Sequence, residues 1–318
     1  MLSMLLLGAG LLAGATTAQA EFPDRPIRFI VPWPAGGGSD QTARIVAKAL
    51  QARLGQPVLV ENKTGAAGNI GTQMVAEAAP DGYTWLYSSG PFSVNPSLFK
   101  SLPFDTEKDF EPVGQIGSTP SVIIVHPGFP ARTLQELRAA SKDAAKPVVY
   151  VSPGNGSAQH LAMELLRKRT QMQLTHIPYK GAAPALTDLL GGQVSVMISG
   201  LPEVLPHVRA GRVRALAVTS PTRSTLLPDV PTLMELGLAD SGTAGWSGIH
   251  VRAHTPQPIV ARMSAELQAV LQDASIGEQL RSRGTEIHVT TPTQFGAFVR
   301  EQMERWREAV AVSGATVD

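Results

Sequence analysis

Twice in this chain a short run of β-branched and aromatic residues enters a glycine-rich loop and leaves it as a segment with helical apolar spacing. The first passage is RFIVPWPAGGGSDQTARIVAKAL from Arg28, the second VVYVSPGNGSAQHLAMELL from Val148. A strand that hands on to a helix through a tight loop is the repeating unit of α/β folds, because parallel neighbours need a long crossover that a helix supplies. The chain is thereby expected to form mostly parallel sheets flanked by helices, and its 318 residues suffice for one large or two medium cores.

The pattern continues between and beyond these passages. Strands are predicted at 27–31, 58–60 and 85–88, with helices at 69–79 and after the first loop, where Ala43, Val46, Ala47, Leu50 and Leu54 share one face. Ser39 or Asp40 is the expected N-cap of that first helix and Gly55 its stop. A second series starts near residue 120, with strands at 122–125, 148–151, 176–179, 194–198 and 213–218. Its helices are expected from the Thr133–Glu136 capping box to just before Pro147, after Ser157 with Leu161, Leu165 and Leu166 inward, and at 183–190. A strand at 245–251 then leads to three C-terminal helices, the last starting at Thr291–Pro292 and carrying a core stripe of Phe295, Phe298, Val299, Met303, Trp306 and Val310.

Residues 1–20 are apolar or small, carry no charged side chain and end in Ala18-Gln19-Ala20. This small-x-small ending predicts a signal peptide cleaved after Ala20, and hence export. As a membrane anchor the stretch is short, rich in glycine and interrupted by Thr16, Thr17 and Gln19. There is no cysteine, which excludes a disulfide framework, a thiolate nucleophile and Cys-based zinc sites. Lys plus Arg (27) nearly balances Asp plus Glu (26), so neither nucleic acid nor an anionic membrane is an expected partner.

What remains is the glycine loops. In an open α/β sheet, ligands bind beyond the carboxyl ends of the strands, where helix N-termini present unpaired N–H groups and the positive end of the dipole. Gly36, Gly37 and Gly38 would leave those amides uncovered, and Pro32 and Pro34 stiffen the approach. A second loop of this kind at 152–157 makes a two-sided anion site the natural reading. Nucleotide motifs are absent: no GxxxxGK[ST] occurs, and Asp40 and Gln41 stand where a dinucleotide fingerprint needs its last glycine. GAAGNIG at 65–71 reads as a turn.

Catalytic and metal-binding patterns are equally scarce. GWSG at 245–248 continues with Ile249, so there is no nucleophile elbow. His250 and His254 lie on a segment that reads as extended, about 13 Å apart at ~3.3 Å per residue, too far to share an ion. The acidic series Asp105, Glu107, Asp109, Glu111 lacks the central glycine of a calcium loop and reads as solvated. Lys180 is the one cation beside a predicted loop of the second series.

Taken together, several stretches carry a likeness to a known family. RPIRFIVPWPAGGGSDQTAR, GQPVLVENKTGAAGNIG, APDGYT, NPSLF, HLAMELL, PYKGAAPALTDLLGGQV, RVRALAVTS and LPDVPTLMELG resemble the substrate-binding proteins of tripartite tricarboxylate transporters, the Bug family. The resemblance runs from about Phe22 to the C-terminus in one order. It implies an α/β, two-lobed periplasmic binding protein of type II, a clamshell with one lobe from residues 21–120 plus 241–318 and the other from 121–240. It also implies capture of a small carboxylate, such as a di- or tricarboxylate, an amino acid or an aromatic acid, for the membrane subunits of a transporter. Ligand contacts carried over from the family are Trp33, Ala35, Gly36, Gly37, Ser39 and Asp40, with Asn69, Ser88 and Ser89 nearby. The opposing lobe would contribute Ser152, Asn155, Gly156, Ser157, Lys180, Gly181, Ala182 and Ser199. Trp33 replaces a common phenylalanine and Ala35 a frequent proline.

The expectation is therefore a monomeric carboxylate-binding protein without cofactor, metal or enzymatic activity. Two alternatives stay open. A secreted α/β hydrolase would have to use Ser157 with His160, although Ser157 is better placed as an N-cap. A sensor partner that presents its ligand to a receptor would share the same closed form.

Overall fold

The computed structural model describes residues 22–155, 157–179, 181–238 and 245–314. The leader with its expected cleavage after Ala20 lies outside the described residues, as do Gly156 and Lys180. In chain order the elements are β1 (Ile27–Val31), α1 (Gly38–Leu54), β2 (Val58–Asn62), α2 (Asn69–Ala76), β3 (Thr84–Ser89), α3 (Gly90–Leu98) and β4 (Phe110–Thr119). Then come β5 (Ser121–Val125), α4 (Leu134–Ala140), β6 (Val148–Ser152), α5 (Ala158–Thr170), β7 (Leu174–Pro178), α6 (Ala182–Leu190), β8 (Val196–Gly200), α7 (Leu201–Arg209) and β9 (Arg214–Val218). The chain returns with β10 (Gly245–Arg252), α8 (Gln257–Gln272), α9 (Ala274–Arg281), β11 (Glu286–Ile287) and α10 (Pro292–Ser313). Among the described residues no helix is long and apolar enough to cross a membrane.

Two sheets result. The first has the order β11-β4-β10-β3-β1-β2, the second β7-β6-β8-β5-β9. The βαβ units are parallel as their spacing requires: β1 pairs with β2 and β3, and β6 with β7 and β8. Strands that enter or leave each sheet run antiparallel, β10 against β3 and β4 and β5 against β8 and β9, so both sheets are mixed. Only Pro120 separates β4 in the first sheet from β5 in the second. We refer to each sheet with its helices as a unit.

Most helix signals resolve as the spacing predicts, and a few end elsewhere. The α1 face of Ala43, Val46, Ala47, Leu50 and Leu54 is buried, and Gly55 closes the helix in the left-handed conformation. The helix starts earlier than expected: Gly37 is its N-cap, and Ser39 and Asp40 sit in the first turn, because the Asp40 carboxylate reaches back to the Gly36 amide. Helix α2 stops at Ala76 and α4 at Ala140, short of residues 79 and 146. At α4 the Glu136 carboxylate takes the Arg132 amide instead of that of Thr133, so the expected box is only half formed. The box at Thr291 and Gln294, by contrast, closes in both directions.

One packing feature ties the units together. Val94 and Leu98 of α3, Leu161 and Leu165 of α5, and Trp306 and Ala309 of α10 form a single apolar core. Because α5 belongs to the second unit and α3 and α10 to the first, this core spans both.

Candidate functional site

Between the units lies a cleft of about 1060 Å3. Four helices begin on its walls: α1 at Gly38 and Ser39, α3 at Ser89 and Gly90, α5 at Ser157 and Ala158, and α7 at Gly200 and Pro202. Two come from each unit. The N-caps of α1 and α3 make no side-chain hydrogen bond to their own helix, so their first-turn donors face the cavity, whereas at α7 the Glu203 carboxylate lies over Gly200 and accepts its own backbone N–H. A smaller groove of about 480 Å3, lined by residues such as Val213 and Leu227, has no such convergence.

The loop from β1 to α1 is held from below. Trp33 Nε1 donates to Ser89 Oγ at 3.1 Å, joining the starts of α1 and α3. Asn62 Nδ2 donates to the Trp33 carbonyl and to Asp40 Oδ1, both at 2.9 Å. Asp40 Oδ2 accepts the Gly36 amide at 2.8 Å and Arg44 Nε at 3.0 Å. Burial alone would raise the Asp40 carboxyl; Arg44, the Gly36 amide and Asn62 outweigh it and hold the pKa below the usual carboxylate value. The 65–71 segment supports the same loop: a Cβ at Gly71 would lie 2.8 Å from the Lys63 carbonyl and 3.0 Å from Pro32 Cβ.

The second loop rests on stacked rings. His176 stacks on His160, with centroids 4.0 Å apart, and on Tyr150 at 4.8 Å. Ser152 Oγ lies 2.8 Å from His176 Nε2. Burial lowers both histidines, His176 to about 4, so the pair is neutral at neutral pH. Ser157 Oγ accepts the backbone N–H of His160, which is N-cap geometry.

Of the residues singled out in the sequence, Trp33, Ser39, Ser89 and Ser157 line the cleft together. Ala35, Gly36 and Gly37 lie in the exposed part of the loop, and Gly38 takes the place on the wall. Asp40, Asn69, Ser88, Ser152 and Ser199 are buried behind it. Asn69 Oδ1 accepts Asn95 Nδ2 at 2.7 Å, and Ser88 Oγ lies 2.7 Å from His250 Nδ1. Asn155 is exposed, while Gly181 and Ala182 are half-buried at the start of α6, where the Gly181 amide donates to the Pro153 carbonyl at 2.8 Å. In the acidic series, Asp105 and Asp109 are taken up by backbone amides and by Lys108 and Arg252, and no cluster of metal-ligating side chains occurs among the described residues.

The cleft also holds residues that the sequence did not single out. Tyr87 lies at its floor beside the hydroxyls of Ser39, Thr42 and Ser247, and burial raises its phenol. Gln41, Gln159, Thr119 and residues 282–285 complete the walls, with Arg209 and Arg283 as cations and Glu203 as an anion. Arg283 donates to Gln41 Oε1. The signal for α7 was a third strand-to-helix passage, MISGLPEVLPHVR, obscured by its two prolines.

Comparison with known proteins finds a matching family model, curated relatives and solved structures of the same fold. The model of the tripartite tricarboxylate transporter family receptor matches residues 42–314. Protein BugT of Bordetella pertussis is 38% identical over 303 residues, covering 95% of this chain and 93% of that protein. Among solved structures, R. palustris Rpa4515 with adipate superposes with a TM-score of 0.79 at 31% identity, covering 93% of this chain and 99% of the other. MatC of Rhodopseudomonas palustris with bound malate gives a TM-score of 0.74 at 30% identity, covering 91% and 100%.

Proposed function

Because the chain belongs to the tripartite tricarboxylate transporter family of receptors, we propose that it is exported to the periplasm, closes on a small carboxylate and presents it to the membrane subunits of such a transporter. The observation that carries this reading is the convergence of four helix N-termini, two from each unit, on one cleft. Donors fixed on both walls gain a shared anion only when the walls approach, which couples binding to closure. Charge-assisted hydrogen bonds contribute on the order of 1.5–3 kcal/mol each, so several support micromolar binding, about 8 kcal/mol, after ordering costs. Relatives solved with adipate and malate support the same class of guest. The two units serve as lobes, residues 21–120 plus 241–318 and residues 121–240, and the protein works as a monomer without cofactor.

The test is a thermal-shift and calorimetric screen of the purified protein against mono-, di- and tricarboxylates, with sugars and simple amines as controls. At least one acid should bind; failure of every acid while a sugar or amine binds sinks the proposal. Gly38→Leu supplies the site control. A Cβ at Gly38 meets nothing within 4 Å, so the variant should fold and lose binding, whereas Gly36 has φ +81° and a side chain there would strain the loop itself.

A further inference from the structure

The second glycine loop is tied to α5 by a closed circuit of contacts. Ser152 Oγ lies 2.8 Å from His176 Nε2 on β7 and donates to the Gly154 carbonyl at 3.1 Å, and the Gly154 N–H donates back to Ser152 Oγ at 3.3 Å. The same Gly154 carbonyl accepts the Ser157 N–H at 3.2 Å. Ser157 Oγ then accepts the His160 N–H at 3.2 Å. The His160 ring returns to His176, with centroids 4.0 Å apart and planes inclined by 13°. Of the residues in this circuit, Ser157 lines the cleft and the others stand behind it.

A proton count fixes what His176 does here. The Ser152 hydroxyl has one hydrogen and two lone pairs. Its hydrogen goes to the Gly154 carbonyl and one lone pair takes the Gly154 N–H, which leaves one lone pair for His176. Burial keeps His176 neutral at neutral pH, so its ring carries a single hydrogen, on Nε2 or on Nδ1. All three contacts of Ser152 hold together when that hydrogen is on Nε2. With it on Nδ1, Ser152 would turn its own hydrogen to the ring and release the Gly154 carbonyl. Stacking on His160 and on Tyr150 holds the ring at this angle, and the Tyr150 hydroxyl donates in turn to Glu164 Oε1 at 2.5 Å.

A buried serine and a histidine can pair simply to satisfy each other. Here the bond ends on the carbonyl that also receives the N-cap residue of α5, so its loss would loosen the turn that aims the first amides of that helix. We propose that His176 is a positioning residue of the binding site: as an Nε2–H donor it fixes Ser152 against Gly154 and thereby sets the α5 terminus on the cleft wall without touching the guest. This rests on the carboxylate reading above and adds to it a residue behind the wall.

The first test needs no variant. Long-range nitrogen–proton NMR spectra of the full chain at neutral pH, with its 7 histidines labelled, should place the His176 hydrogen on Nε2; a hydrogen on Nδ1 overturns the proposal. Two variants then separate the bond from the stack. His176→Phe keeps a ring on His160 and Tyr150 and has no hydrogen to give, whereas His176→Gln brings an amide donor to the Nε2 position and gives up the stack. In the guest-free protein, hydrogen exchange of the Gly154, Ser157 and His160 amides should accelerate about tenfold or more in His176→Phe and stay near the unmodified rate in His176→Gln. Calorimetry with malate and adipate as probes should follow the same order, with affinity about tenfold weaker in His176→Phe. The reverse order, or equal effects of the two variants, makes His176 a packing residue and overturns the proposal. If neither probe binds, the hydrogen position and the exchange rates decide it. Failure of every acid in the wider screen, with a sugar or amine bound, defeats the carboxylate reading instead.

Discussion

Asp40 stands among the cleft-lining residues of α1 yet points all of its bonding capacity into the fold. Both oxygens are engaged, by Gly36, Arg44 and Asn62, and the side chain is only 4% exposed. Its folded-state pKa lies below the unfolded value, so its stabilisation is complete above about pH 3.9 and is lost as pH falls through the folded value. Asp40→Asn should therefore cost about 1–3 kcal/mol at neutral pH. The deficit should shrink in urea titrations at increasingly acid pH, where the native carboxyl protonates as well. A deficit that is constant from neutral to strongly acid conditions would show that charge is not the reason Asp40 is held there. The identity of this residue was legible, since it follows three glycines and opens a helix, but its partners Asn62 and Arg44 were not. They come from the far end of β2 and the next helical turn, and no local pattern joins them.

Among the elements, legibility followed how far intrinsic preference and environment agreed. β1, α1, β6 and α5 have uninterrupted periodicity, and they occur where the spacing put them apart from the earlier start of α1. α3, α7 and β4 were missed. α3 contains Pro91 and Pro96, α7 contains Pro202 and Pro206, and β4 carries Pro112, Gly114 and Gly117 inside a strand. In β4 the glycines answer to neighbours: a Cβ at Gly114 would lie 3.0 Å from Leu267 Cδ2, and one at Gly117 would run into the Glu286 backbone. Tertiary crowding erased the alternation a strand normally shows. The same logic gives α2 its role. Gly71 lets α2 lie against Pro32 and the Lys63 carbonyl, so Gly71→Ala should destabilise the fold by about 1–3 kcal/mol and, by shifting Trp33, weaken acid binding in calorimetry. Full affinity with reduced stability would separate α2 from the site.

For the molecule as a whole, the apolar core shared by α3, α5 and α10 decides how independent the units are. Trp306 is 1% exposed at its centre, and Trp306→Ala should cost about 3–5 kcal/mol. Scanning calorimetry should show one cooperative transition in the unmodified chain and a broadened or divided one in the variant. A single sharp transition in both would mean that the contact across the units is dispensable. The two α/β series were readable from two strand–loop–helix passages and their division into two lobes only from the family resemblance, whereas this bridge was not readable at all, because the α10 stripe names buried residues without saying which unit they meet. The bridge has a kinetic corollary for capture. It anchors α3 and α5, helices of opposite units, side by side, so their donors stand at a set separation before any guest arrives. On the proposed reading an incoming acid would meet that prebuilt floor first, and approach of the two units would then bring the starts of α1 and α7 over it. Residence time would then be a property of the rim, and sequence changes there would retune release while leaving the landing step alone.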